Sequence, residues 1–177
     1  MGKEIEKKYL IRENGIEHAS EALLQMYNSV EALKKDVLQN GKSIRQGYLP
    51  LYAGLKLSDK LGMNADFDFN EARLRDKAGK FYFTLKGSGG LSRNELETKI
   101  EQEVFDEYWP MTKGNRVEKV RLNMPFEGHT LEIDVYTDRD LIIAEVEVPT
   151  TDAAKKLSSL GKDVTTNKTY KNKNLAK

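Results

Sequence analysis

Apolar and polar residues alternate with a period of two over most of this chain. In a strand, that alternation separates an apolar face from a polar one. In the opening run Glu4-Ile5-Glu6-Lys7-Lys8-Tyr9, Glu4, Glu6 and Lys8 share one face and Ile5, Lys7 and Tyr9 the other. The pattern predicts strands over about 3–12, 43–49, 71–75, 81–86, 93–101, 116–122, 131–136 and 141–148. Arg45 and Gly47 fall on one face of the second. The period changes to that of a helix over about 17–39, where Leu23, Met26, Tyr27, Val30, Leu33 and Val37 form one stripe and Asn40-Gly41 closes it. The segment 50–66, interrupted by Gly54 and Gly62, reads as a loop with a short helix. Short helices are expected over 103–109, stopped by Pro110, over 152–160, and as a last turn in the tail. Asn14-Gly15, Asp76–Lys80 and Pro125–Gly128 carry turn chemistry. The fold class is an all-β core with added helices (α+β).

The polar face is unusual. It carries same-sign doublets two residues apart: Glu4/Glu6, Arg73/Arg75, Glu95/Glu97, Lys119/Arg121, Glu132/Asp134 and Glu145/Glu147. Like charges on one face repel unless opposite charges or a ligand meet them. Two arrangements remain open. The sheet is either open, with an ion-paired solvent face, or closed into a barrel with the charges lining its lumen. Recurring same-sign doublets favour the barrel. Eight strands leave a lumen that holds one small ligand. Cations there attract a polyanion, and the paired carboxylates of the first strand suit a hard divalent metal. A triphosphate with its metal satisfies both.

Composition narrows the classes. The chain has 177 residues, a length that suits one domain, and a formal net charge of +1, so overall charge predicts neither a nucleic-acid nor a membrane partner. It contains no cysteine, which excludes disulfides and thiolate metal sites. No apolar run is long enough to span a bilayer and no signal peptide is visible, so a cytoplasmic location is expected. Gly87-Ser88-Gly89-Gly90 lacks the Gly-Lys-Ser/Thr ending of a P-loop and reads as a turn. His18 and His129 lie near turns or helix starts and are not expected to bind metal. Tyr108 and Trp109 read as core.

The ordered motifs resemble the CYTH superfamily, the triphosphate tunnel metalloenzymes. The first strand has the form Glu-x-Glu-x-Lys. It is followed by Ile44-Arg45-Gln46-Gly47-Tyr48-Leu49, Ala72-Arg73-Leu74-Arg75, Thr84-Leu85-Lys86-Gly87 and Gly90-Leu91-Ser92-Arg93-Asn94-Glu95-Leu96-Glu97. Arg116–Arg121, Leu131–Tyr136, Ala144–Glu147 and the tail from Val164 to Asn172 complete the set. The resemblance implies an eight-stranded antiparallel closed barrel in one domain, residues 1–177, with a helical insertion at about 17–39. Compact bacterial members act as inorganic triphosphatases. By the same pattern Lys8, Arg45, Arg73, Arg75, Lys86, Lys119 and Arg121, with Arg93 as an addition, grip phosphate oxygens. Glu4, Glu6, Glu145 and Glu147 hold Mg2+ or Mn2+. Glu95, Glu97, Glu132 and Asp134 hold a second metal or orient the basic residues. Lys99 stands where a third acidic residue often occurs, and the 17–39 and 50–66 segments are longer than in compact members.

The expected reaction is metal-dependent hydrolysis of tripolyphosphate to pyrophosphate and phosphate. Lys8, Arg73, Arg75 and Lys86 are its catalytic candidates, and Lys86 would assist the water if neighbouring cations depress its pKa. The alternatives are a class IV-type adenylyl cyclase, a thiamine triphosphatase, and a non-catalytic module that binds triphosphates or RNA 5′ ends. The partner is a small-molecule triphosphate, and a homodimer is possible.

Overall fold

The computed structural model describes residues 2–88 and 92–177, with side chains from 5 to 88 and from 93 onward. The side chain of Glu4 and the link residues 89–91 lie outside the described residues. In chain order the elements are β1 (Gly2–Glu13), β2 (Ile16–Glu17), α1 (Glu21–Tyr27), α2 (Val30–Asn40), β3 (Lys42–Tyr48), α3 (Leu51–Lys60), β4 (Phe69–Lys77), β5 (Lys80–Gly87) and β6 (Ser92–Ile100). They continue with α4 (Gln102–Tyr108), β7 (Arg116–Phe126), β8 (His129–Tyr136), β9 (Leu141–Glu147), α5 (Thr151–Lys156), β10 (Lys162–Asp163) and α6 (Asn172–Leu175). Among the described residues, no helix is long and apolar enough to cross a membrane.

The chain divides into two compact units. The first comprises Met1–Glu4, Ile44–Val117 and Lys168–Lys177, the second Ile5–Ser43 and Glu118–Asn167. In the first unit β3, β4, β5 and β6 pair antiparallel in sequence order. Ala72, Leu74, Phe81, Phe83 and Leu85 cover one face of this sheet, where Ala53 and Leu57 of α3 and Phe105 and Tyr108 of α4 pack on them. In the second unit the antiparallel order is β7, β8, β9, β1. Its apolar face, including Tyr9, Leu131, Ile133, Val135, Ile142, Ala144 and Val146, packs on Leu23 of α1, on Val30, Leu33 and Val37 of α2, and on Ala154 of α5. The α2 residues recur every three or four positions, the spacing of a helix buried along one stripe.

The antiparallel β core with helices agrees with the expected fold class, but the strand count does not. Ten strands are described, because β2 and β10 are two-residue additions paired with β1. The sheet within each unit is open, so neither unit reaches by itself the closed eight-stranded barrel of the sequence reading.

One local expectation is also corrected. The 17–39 helix is two helices. Asn28 takes φ +63, which ends α1, and Ser29 starts α2 by accepting a hydrogen bond from Ala32 N at 3.0 Å. Its first residue joins β2 instead. The short helix expected within 50–66 is α3, ten residues that run through Gly54. The short helix expected over 103–109 is α4, which ends at Tyr108 ahead of Pro110; a 3-10 turn, Trp109–Thr112, follows it.

Gly54 is not a helix breaker but a contact point. A Cβ added there would lie 2.4 Å from Ala72 Cβ, so α3 sits on β4 closer than any other residue permits. Gly54→Ala should gain up to about 1 kcal/mol in helix propensity. Overpacking costs about 1–3 kcal/mol, so the expected net change is a loss, read as a lower melting temperature. A raised melting temperature would show that α3 is docked loosely.

Candidate active site

Each sheet presents one charged face, set by strand register. In the first unit, directly opposed residues form three rows. They are Tyr48–Arg73–Thr84–Glu97, Gln46–Arg75–Tyr82–Lys99 and Glu71–Lys86–Glu95. The doublet Arg73/Arg75 is therefore met across strands by acceptors. Arg73 is buried. Its Nη2 donates to Thr84 Oγ1 at 3.1 Å and to Glu97 Oε2 at 3.3 Å, and Thr84 Oγ1 donates to the same carboxylate oxygen at 2.6 Å. Burial works against the charge of Arg73, but Tyr48, Glu71, Glu97 and Glu95 outweigh it and hold the guanidinium pKa above its ordinary value. Arg73 Nε is the one buried side-chain polar atom without a hydrogen-bond partner among the described residues.

Arg75 Nε donates to Gln46 Oε1 at 3.0 Å, and Gln46 Nε2 donates to Tyr48 Oη at 2.8 Å. Arg93 reaches Glu71 at 3.3 Å and the carbonyl of Gly87 at 3.0 Å. Lys86 lies 3.6 Å from Glu95 and opposite Glu71. The groups set against it on β4 and β6 are carboxylates, whereas a base role for it invokes neighbouring cations. Arg45 does not join this face. It pairs with Asp76 at 2.9 Å on the other side of β3, with its guanidinium 5.1 and 5.0 Å from the ring centroids of Phe105 and Trp109.

In the second unit the opposed pairs are Glu6–Glu147, Lys8–Glu145, Glu145–Glu132, Asp134–Arg121 and Tyr136–Lys119. All these side chains share one face. Asp134 is fully buried. It accepts from Arg121 Nε and Nη2 at 2.7 and 2.8 Å and from Lys119 Nζ at 2.7 Å. Arg121 Nη1 also donates to Glu132 Oε2 at 2.9 Å. Burial opposes ionisation of Asp134, yet Arg121 and Lys119 overcome it and hold its carboxyl well below the usual range. Glu145 is held low in the same way, by Lys8 at 3.6 Å and by Arg121. Burial disfavours the charged form of Lys8, but Glu145, Glu6 and Asp134 raise its pKa. Glu132 goes the other way: burial dominates, with Glu145 and Asp134 adding to it, and its pKa rises.

Each face can be described chemically by itself. The first, with Arg73, Arg75, Lys86 and Arg93, offers guanidinium and ammonium donors partly held by Glu71, Glu95 and Glu97. The second sets Lys8, Lys119 and Arg121 among five carboxylates: Glu6, Glu132, Asp134, Glu145 and Glu147. Among the described residues, no group of three or more His, Cys, Asp or Glu is placed to hold a metal ion. Sequence reasoning overlooked Gln46 and Tyr48. The signal for them was Gly47 between them: a Cβ there would lie 2.5 Å from Thr112 Cβ. Glycine inside a strand marks such a close approach, and it puts Gln46 and Tyr48 on the face opposite to Thr112.

No protein-family model matches the sequence. Curated relatives do. The chain is 38% identical over 140 residues to an inorganic triphosphatase of Nitrosomonas europaea, covering 75% of this chain and 83% of the relative. It is 34% identical to an inorganic triphosphatase of Acetivibrio thermocellus, covering 100% of this chain and 95% of the relative. The solved structure of the inorganic triphosphatase NE1496 superposes with a TM-score of 0.55 at 29% identity, over 97% of this chain and 96% of that one. With this identity over this coverage, and with the charged strand faces described above, the chain belongs to the inorganic triphosphatase family of the CYTH superfamily.

Proposed function

We propose that the chain hydrolyses inorganic tripolyphosphate to pyrophosphate and phosphate with the help of a divalent metal. The reading includes the closed eight-stranded tunnel and the single domain expected from the sequence. The observation that carries it is the Nε of Arg73, which is buried on a face of cations and has no hydrogen-bond partner among the described residues. A buried donor without an acceptor costs about 1–3 kcal/mol, and a phosphate oxygen is the acceptor that removes this cost. Phosphoryl transfer spreads charge over the equatorial oxygens of the transferred group, so positioned cations supply most of the catalysis. Arg73 and Arg75 suit fork-like contacts to those oxygens, Lys86 and Arg93 add charge beside them, and Lys8, Lys119 and Arg121 extend the set. Glu97, Glu132 and Asp134 hold these cations in place, which supports the orienting role over a second metal.

The donors of β1 and β9 fit a hard cation. Glu6 opposes Glu147 directly, a like-charged cross-strand pair that disfavours itself without a cation. All the candidate ligands are carboxylate oxygens, the type that Mg2+ and Mn2+ prefer. Glu6, Glu145 and Glu147, with Glu4, would hold the ion, which supplies charge neutralisation for the triphosphate when bound.

The test supplies tripolyphosphate, ATP and thiamine triphosphate, each with Mg2+ or Mn2+ and with chelator. Phosphate, pyrophosphate and cyclic AMP are followed. Phosphate and pyrophosphate released from tripolyphosphate faster than from the other two substrates is the expected result. Cyclic AMP without phosphate release, faster cleavage of thiamine triphosphate, or binding without turnover under either metal would replace this reading with the cyclase, the thiamine triphosphatase or the sensor. Glu6→Gln should lower metal-dependent turnover by about 100-fold or more while the melting temperature holds. Unchanged activity would remove β1 from the metal site.

A further inference from the structure

We infer that Lys99, with Arg75, forms a subsite for one more phosphate unit at the end of the charged face nearest the β4–β5 turn. Lys99 is then the residue that sets how well the protein takes linear polyphosphates longer than three units. The inference rests on the triphosphatase reading and adds a specificity-determining residue to it.

Register carries the argument. Alternate side chains of β4 share a face, so the rows of that face follow one another in the order Glu71, Arg73, Arg75. The row Glu71–Lys86–Glu95 sets one cation between two carboxylates. The row of Arg73 ends in Glu97. The row Gln46–Arg75–Tyr82–Lys99 holds two cations and no carboxylate. One step further along, Lys77 stands opposite Lys80, where β4 turns into β5. A polyanion seated on Arg73 and Arg75 has two ways to extend. Toward Glu71 it meets two carboxylates, and the cations there, Lys86 and Arg93, are already engaged by Glu95 at 3.6 Å and Glu71 at 3.3 Å. Toward Lys99 it meets cations only. The next phosphate of a longer chain is therefore held on the Lys99 side.

The surroundings of Lys99 suit that task. It is exposed, and among the described residues it makes no ion pair, unlike Arg73, Lys86 and Arg93 on the same face. The carboxylate two residues back on its strand, Glu97, accepts instead from Thr84 at 2.6 Å and Arg73 at 3.3 Å. In the other direction β6 ends at Ile100 and Glu101 caps α4. Neighbouring strands lie about 5 Å apart, so Arg75 and Lys99, two strands apart, stand about 10 Å from each other across Tyr82. Two long side chains can close that distance on one anion.

The test measures kcat/KM for tripolyphosphate and tetrapolyphosphate in the wild type, Lys99→Gln, Lys99→Arg and Lys56→Gln. Cleavage of the four-unit chain is the same step: water adds across one P–O–P bond and leaves two shorter phosphates. The subsite changes only how the chain is held. Lys99 and Lys56 are both exposed, so all variants should melt with the wild type. In Lys99→Gln the ratio of tetrapolyphosphate to tripolyphosphate kcat/KM should fall about fivefold, the upper range for a solvent-exposed charge pair. Lys99→Arg keeps a cation at that place and should keep the ratio. Lys56→Gln removes one positive charge from α3, which packs on the apolar face of the sheet, and should also keep the ratio. A ratio that holds in Lys99→Gln, or that falls as far in Lys99→Arg or Lys56→Gln, overturns this inference alone. So does a wild type that cleaves tripolyphosphate but not tetrapolyphosphate. A wild type that does not cleave tripolyphosphate overturns the parent reading and this inference with it.

Discussion

Arg73→Ala is expected to lower kcat/KM for tripolyphosphate by about 100- to 1000-fold, the range for losing a positioned donor aimed at developing charge. Nη2 of Arg73 serves Thr84 and Glu97, while its Nε has no partner among the described residues. The contacts already made fix the plane of the guanidinium, so its remaining donors are pre-aimed at the charged face. That costs no reorganisation when the phosphoryl group loosens. Arg73→Lys separates charge from geometry. A lysine keeps the positive charge but cannot serve Glu97 and a phosphate with one rigid fork. It should recover a small part of the loss, with kcat remaining well below wild type. Full recovery by lysine would mean that Arg73 supplies charge alone. Retained activity in Arg73→Ala, with unchanged melting behaviour, would take the phosphate site away from β4.

What could be read from the sequence followed from the period of two. Alternation places Arg73 with Arg75 and Glu132 with Asp134 on one face whatever the fold, and the structure keeps both pairs together. The answer to each doublet could not be read. Arg121 meets Asp134 and Arg73 meets Glu97 through strand register, a long-range property that local spacing does not contain. Arg45 shows how sharp that limit is. One residue of parity separates it from Gln46, and parity alone decides which of them faces Arg75 and which lies against Asp76. The helical error has a local cause. The apolar stripe continues in phase from α1 into α2, so periodicity reads through Asn28 and Ser29, although the pair is a helix end followed by a cap. At Gly54 an intrinsic preference against helix was outweighed by a tertiary contact with Ala72.

The largest effect on stability is expected at Asp134. Its carboxylate takes three charge-assisted hydrogen bonds from Arg121 and Lys119, and the side chains of Asp134 and Lys119 are both fully buried. Removing one partner of a buried ion pair costs about 3–5 kcal/mol, because the charge left behind has lost both water and counterion. In Asp134→Asn, Lys119 and Arg121 would lose the carboxylate they share. At about 2–4 °C per kcal/mol for a chain of this size, the melting temperature should drop by on the order of 10 °C. Acid should do to the wild type what the substitution does. The folded-state pKa of Asp134 lies below its unfolded value of 3.8, so its contribution is complete above that pH and declines as pH falls through and below it. The wild type should therefore lose its advantage over Asp134→Asn on titration from pH 6 toward pH 2, and the two denaturation curves should converge. Raising the pH from 6 to 8 should leave the gap unchanged, since Asp134 is ionised in both the folded and unfolded chain there. Replacing Lys119 with methionine in the Asp134→Asn background removes one stranded cation and should recover part of the loss. Parallel curves for the two proteins across the acid range, or no recovery in that double variant, would show that Asp134 contributes packing rather than charge.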